Sequence, residues 1–208
     1  MGPVREPSTA EHAPGALLSL EEWAAMPEDD PGELIDGVLV EEEMPDLVHE
    51  TVVAWLVATL RAWVVPRRGF VFGSEAKFAV APQRGRKPDV TVYLPGCPPL
   101  PRRGVVRVPP DITVEVISPT PQDDRRDRRD KAGDYARFGV RWYWLIDPER
   151  RTLEILARGA AGHYDRAASA TRGTLDRVPG CEGLSLDLDG LWAEVDRLAE
   201  AAPDDGER

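Results

Sequence analysis

A chain of 208 residues with 42% hydrophobic composition can close one full core. Its two cysteines are too few for a disulfide framework or a cysteine-rich zinc site, which makes a reducing cytoplasm the expected setting. No apolar run is read as approaching a membrane span, residues 1–14 carry no hydrophobic signal region, and a net charge of −11 argues against a uniformly basic nucleic-acid module.

That charge is unevenly spread. Residues 1–45 hold twelve acids against Arg5 alone, and 194–208 hold six against two arginines, so 46–193 carries 23 bases and 19 acids. The acidity is terminal, and the middle permits a phosphate-backbone partner without demanding one. The expected organisation is a flexible lead-in over 1–16, a single domain over 17–201 and an acidic tail over 202–208.

Ser19-Leu20-Glu21-Glu22 is a capping-box pattern that opens a short helix over 21–25. Glu33 to Glu41 reads as a hairpin, with Asp36-Gly37 supplying the positive φ of a tight turn. Asp46 is placed to cap a helix over about 47–65, with Val48, Val52, Trp55, Leu56 and Trp63 on one face. His49 falls in its first turn, where a histidine reads first as an exposed polar residue or a cap partner.

Residues 69–80 read as a strand pair or one bent strand, and Arg84-Gly85-Arg86-Lys87 as an exposed basic turn. Two β-branched runs follow, Pro88 to Tyr93 and Pro110 to Ile117, separated by an irregular loop with Arg102, Arg103 and Arg107. Asp123 or Asp124 is expected to cap a charged helix running to about Phe138. Strands are expected over 140–147 and 152–157, weaker ones near 162–167, 174–178 and 184–188, and a closing helix over 190–201. This order predicts an α/β (α+β) fold, a mixed central sheet flanked by helices. The Glu115 strand, charged helix and Trp142 strand are expected to form one crossover unit, right-handed if the two strands run parallel.

Each of the two β-branched runs carries one carboxylate in apolar company, Asp89 at the mouth of the first and Glu115 inside the second. Taken singly, Asp89 would end a turn and Glu115 would pair with an arginine. A buried carboxylate is costly unless paired or metal-bound, so two on neighbouring strands point to a divalent-cation site. The chain has 23 arginines and three lysines, Lys77, Lys87 and Lys131. Lys131, Tyr135 and Phe138 stand at i, i+4 and i+7, so burying the two rings carries Lys131 towards the sheet and Glu115.

Glu33-Leu34-Ile35-Asp36-Gly37, His49 opening a helix, Pro88-Asp89-Val90, Val114 to Pro119, Lys131…Tyr135 and Tyr143 to Pro148 together resemble the Uma2 family. That family is restriction-endonuclease-like, within the PD-(D/E)xK nuclease superfamily, and the likeness spans about 17–158. The resemblance implies a restriction-endonuclease-like core and a Mg²⁺ site (Mn²⁺ as a substitute) held by Asp89, Glu115 and the Val116 carbonyl. Glu33 is implied as a further ligand or water-holder. The superfamily's lysine two residues after the second acid is here Ile117, and Lys131 is implied as its replacement, with Lys87 the rival.

Arg102, Arg103, Arg107, Arg125 and Arg128 are candidates for the DNA backbone. His49, Lys87 and Tyr135 complete the candidate set. The implied activity is Mg²⁺-dependent DNA cleavage, with a homodimer expected if both strands are cut. The alternative is an inactive relative that serves as a DNA- or protein-binding module, and a third reading is action on RNA.

Overall fold

The computed structural model describes residues 17–26, 32–40, 45–118 and 126–201. The expected cap at Asp123 or Asp124, and Arg125, lie outside the described residues.

Helix α1 (Leu20–Ala25) starts where Ser19 and Glu22 form a reciprocal capping box, one residue earlier than expected. Strands β1 (Glu33–Ile35) and β2 (Val38–Val40) form the hairpin, turned by Asp36 at φ 51° and Gly37 at φ 82°. Asp46 caps helix α2 (Leu47–Val64) by accepting from the His49 amide, and a 3₁₀ turn (Val65–Arg67) extends it. Strands β3 (Phe70–Phe72), β4 (Phe78–Ala81), β5 (Arg84–Arg86), β6 (Val90–Tyr93) and β7 (Ile112–Val116) follow. A π-helical turn (Arg126–Lys131) leads into α3 (Ala132–Phe138), which Gly139 ends at φ 108°. Strands β8 (Trp142–Asp147), β9 (Thr152–Arg158), β10 (Tyr164–Ala170), β11 (Thr174–Leu175) and β12 (Leu186–Asp187) precede α4 (Leu188–Ala201).

The main sheet has six strands in the order β10-β9-β8-β7-β6-β3. Only β7 and β8 pair in parallel, through the charged segment as crossover; the other pairs are antiparallel. The fold is therefore the expected mixed sheet with helices. One face carries Val71, Val90, Val92, Ile112, Val114, Val116, Trp144 and Ile146, packed with Val52, Leu56 and Leu60 of α2 and Leu188 and Leu191 of α4. Alternate residues turn to the other face, where Tyr93, Ile117, Tyr143 and Leu145 meet Tyr135 of α3 and Phe78 of β4. Each fully buried Leu or Val contributes about 1.5–3 kcal/mol, so the first face is the main store of stability.

Three expectations need correction. The Arg84–Lys87 stretch is not an exposed basic turn: Arg84–Arg86 is a strand, in the sheet ordered β2-β1-β5-β4, and Arg86 is 2% exposed. It can be a strand because a glycine separates the arginines. A Cβ on Gly85 would stand 2.2 Å from the ring of Trp23, so only glycine lets α1 lie on β5. The charged helix is not one regular α-helix, since its described first part is π-helical. Residues 47–67 do form a stretch long and apolar enough to cross a membrane, 21 residues at hydropathy 1.3. In the fold, Val52, Leu56, Leu60 and Val64 spend that apolarity on the sheet, each fully buried.

Candidate active site

The site forms where β6 and β7 run out of register partners. Val90 pairs with Val114 at the end of the ladder, and Asp89 and Glu115 are the next residues along the two chains. Pro88 has no amide hydrogen and cannot extend the ladder. The Asp89 side chain takes over, its Oδ2 accepting the Val116 amide at 2.7 Å. The chain thus enters the sheet with a carboxylate turned onto the neighbouring strand. His49, in the first turn of α2, approaches Asp89 from the other side, with Nε2 3.3 Å from Oδ1. Its side chain is only 14% exposed, which corrects its reading as an exposed polar residue. Burial works against the imidazolium, but the hydrogen bond and charge of Asp89, with Glu50 and Asp46, outweigh it and raise His49 above its ordinary pKa.

Glu115 is 1% exposed. Lys131 Nζ donates to its Oε2 at 2.9 Å, and the Tyr135 hydroxyl donates to its Oε1 at 2.5 Å. Both donors come from the crossover, four residues apart, so one helical face meets both oxygens of one carboxylate. Burial pushes the Glu115 carboxyl well above the usual range; Lys131 opposes this, while Asp89, Asp127 and Glu33 add to it. Burial and the neighbouring Glu115 likewise raise the Tyr135 phenol, keeping it a donor. Ile117 is packed among the aromatics of this face, so no cation stands at its position.

Glu33 reaches the cluster through Lys131, whose Nζ lies 3.8 Å from its Oε1. Its firmer partners are Arg86, at 2.5 Å, and the Lys87 amide, at 3.0 Å. Arg86 also donates to Asp134 at 2.6 Å, and Arg84 meets Asp134 at 3.1 Å. Asp127 stands 3.4 Å from Lys131 and is 3% exposed. Arg86 and Asp134 were missed in the sequence, and Asp127, part of the stretch that carries the family resemblance, was given no role in the site. Asp127 was open to detection, being one helical turn before Lys131; Arg86 and Asp134 gave no local signal.

The other candidates divide. Lys87 turns its ammonium to Glu75 at 3.3 Å rather than towards Asp89. Arg107 pairs with Glu21 at 2.6 Å, and Arg128 is held by Glu154 and by Asp147. Arg102 and Arg103 line a cleft of about 390 Å³ with Phe72, Lys77 and Tyr93. The structure therefore brings Asp89, Glu115, Lys131, Tyr135, His49, Glu33 and the Val116 amide together, while Arg107 and Arg128 pair with carboxylates outside that set. Among the described residues no three His, Cys, Asp or Glu side chains form a ready-made metal cluster.

A family model for Uma2, described as "Putative restriction endonuclease", matches residues 18–189. Among solved structures, the chain resembles a crystal structure described as a "putative nuclease belonging to DUF820" from Anabaena variabilis, at 22% identity and a TM-score of 0.67. The likeness covers 86% of this chain and 99% of that one. At that identity it speaks for the fold. No curated protein matches the chain.

Proposed function

The chain belongs to the Uma2 family of restriction-endonuclease-like proteins, and from that premise we propose that it hydrolyses DNA phosphodiester bonds with a divalent cation, Mg²⁺ or Mn²⁺. The observation that carries this reading is Asp89 fastened to the Val116 amide beside Glu115, with the Lys131 ammonium 2.9 Å from Glu115.

The residues present suit the cation. Asp89 and Glu115 supply carboxylate oxygens, Asp89 bonded to the amide of the residue that follows Glu115. Since Val116 directs its amide at Asp89, strand geometry turns its carbonyl to the same edge. Mg²⁺ keeps several of its waters, so two carboxylates and a carbonyl suffice where a three-carboxylate cage is absent. Crowding of Glu115 by Asp89, Asp127 and Glu33 against one ammonium leaves negative charge that a cation relieves. When bound, such a cation polarises the scissile phosphate and lowers the pKa of a water.

The chain's own side chains do the rest. Lys131 orients the attacking water and meets the charge that develops on phosphorus. Tyr135 and Lys131 together fix the plane of the Glu115 carboxylate. His49 holds Asp89 from the α2 side, and the Asp89 charge favours its imidazolium form. Glu33, fastened by Arg86 and the Lys87 amide, limits how far Lys131 can swing. Arg102 and Arg103 face the backbone of the bound strand.

One observation favours the binding-module alternative: both Glu115 oxygens are already engaged by Lys131 and Tyr135. Incubating the purified protein with supercoiled plasmid in Mg²⁺, Mn²⁺ or EDTA separates the two. Nicked or linear product in either metal and none in EDTA is expected. Intact plasmid that is nevertheless bound supports the module.

A further inference from the structure

The edge of the main sheet beside the carboxylates carries two exposed aromatic rings. On β3, Phe70 is 49% and Phe72 38% exposed, and β3 is the last described strand of its sheet. Being two apart, they share a face. Their rings lie nearly parallel, 10° between planes and 6.1 Å between centroids, and Phe72 meets Tyr93 edge-on. Phenylalanine has no polar handle that would gain from this exposure, and two such rings held in a stack cost the fold apolar burial it could have used.

Register shows where this stack stands. Phe72 pairs with Thr91 and Phe70 with Tyr93, and Thr91 pairs with Thr113 on β7. Asp89 and Glu115 lie two residues beyond Thr91 and Thr113, Glu115 on the same face of β7 as Thr113. The carboxylates are thus about 7 Å along the strands from the row that Phe72 occupies. Phe72 lines the cleft of about 390 Å³ that Arg102 and Arg103 also line. Both arginines are exposed, and among the described residues neither has an ion-pair partner, unlike Arg107 and Arg128.

We infer that this edge is a stacking subsite for unpaired DNA: bases of a single strand lie on Phe72 and Phe70, and Arg102 and Arg103 hold the adjoining phosphates. The inference rests on the phosphodiester reading of the neighbouring carboxylates. An exposed ring pair selects an unpaired strand, because bases in a duplex already cover each other's faces. Charge points the same way. A duplex carries twice the phosphate density of a single strand, which an acidic protein of net charge −11 repels more strongly.

Anisotropy with fluorescein-labelled oligonucleotides in EDTA tests this on the full chain, using a dT strand, a hairpin duplex and an abasic strand of equal length. Wild type should bind the dT strand most tightly. The Phe70→Ala/Phe72→Ala variant should lose about tenfold or more for dT and nothing for the duplex, while Phe72→Tyr keeps dT affinity. The abasic strand, probed on wild type, should bind as weakly as dT does to the double variant.

Equal binding of dT and abasic strands by wild type overturns the stacking inference. So does unchanged dT affinity in the double variant, and plasmid cleavage persisting alongside either result shows that the carboxylate reading survives. No binding of any oligonucleotide together with intact plasmid removes both. A double variant that turns a dimer into a monomer by light scattering, with dT affinity unchanged, assigns the edge to self-association instead.

Discussion

Tyr135 donates its hydroxyl to Glu115 Oε1 from the helix face that brings Lys131 to Oε2, so one crossover segment clamps both oxygens of a carboxylate that is 1% exposed. The Tyr135 ring also packs on Tyr143, with centroids 5.3 Å apart. Tyr135→Phe keeps that packing and removes only the donor to a buried charge. A loss of about 1.5–3 kcal/mol in urea unfolding is expected, with the far-ultraviolet spectrum unchanged. No loss would mean that the hydroxyl does not hold Glu115.

Lys131 compensates the same carboxylate as a full charge. Lys131→Met leaves Glu115 buried without its cation, which should cost about 3–5 kcal/mol. Adding Glu115→Gln should restore part of that, because the uncompensated charge is gone. A double-mutant cycle in urea reads the coupling. A single-variant cost below about 1 kcal/mol, the range of an exposed pair, would contradict the buried ion pair.

Gly85 should be irreplaceable for a packing reason. The Cβ of Gly85→Ala would meet the Trp23 ring, itself 1% exposed, at 2.2 Å. Either α1 lifts or β5 shifts, and overpacking of this kind costs about 1–3 kcal/mol. Gly73→Ala, where nothing lies within 4 Å, is the matched control. Thermal melts followed by tryptophan fluorescence should separate the two, and equal melts would put α1 elsewhere.

Cys181 gives the pH prediction. Burial first, then Asp111, pushes its thiol up to about 12 from 9.0. The unfolded thiol ionises first as pH rises, so the contribution to stability is whole below about pH 9 and is lost between there and about pH 12. Between pH 8 and 10.5, wild type should lose about 1–2 kcal/mol more than Cys181→Ala. At pH 8, a thiol reagent should label the half-buried Cys97 first and reach Cys181 only on unfolding. Equal labelling rates would place Cys181 at the surface.

Much of this architecture was legible because its causes are local. A capping box, an Asp-Gly turn and two β-branched runs each announce their element within a few residues. The i, i+4, i+7 stripe of Lys131, Tyr135 and Phe138 announced which way the crossover faces. Arg86 was misread because its neutralising partners, Glu33 and Asp134, are 53 and 48 residues away in sequence. The space that makes Arg84–Arg86 a strand is set by Trp23 on another element. Burial of His49 depends on the entry to β6 meeting the first turn of α2 at Asp89, a relation absent from either segment alone. The apolar length of α2 was underread for a related reason, since Glu50 and Arg61 break the run on its exposed side.

The central claim is that phosphodiester hydrolysis is performed at the Asp89, Glu115 and Lys131 constellation. The direct measurement is plasmid nicking in Mn²⁺ and in Mg²⁺ by wild type, Asp89→Asn and Lys131→Ala, each first shown to be folded by circular dichroism. Wild type should nick, and both variants should fall by at least about a hundredfold. Nicking by folded Asp89→Asn and Lys131→Ala at the wild-type rate would contradict the assignment.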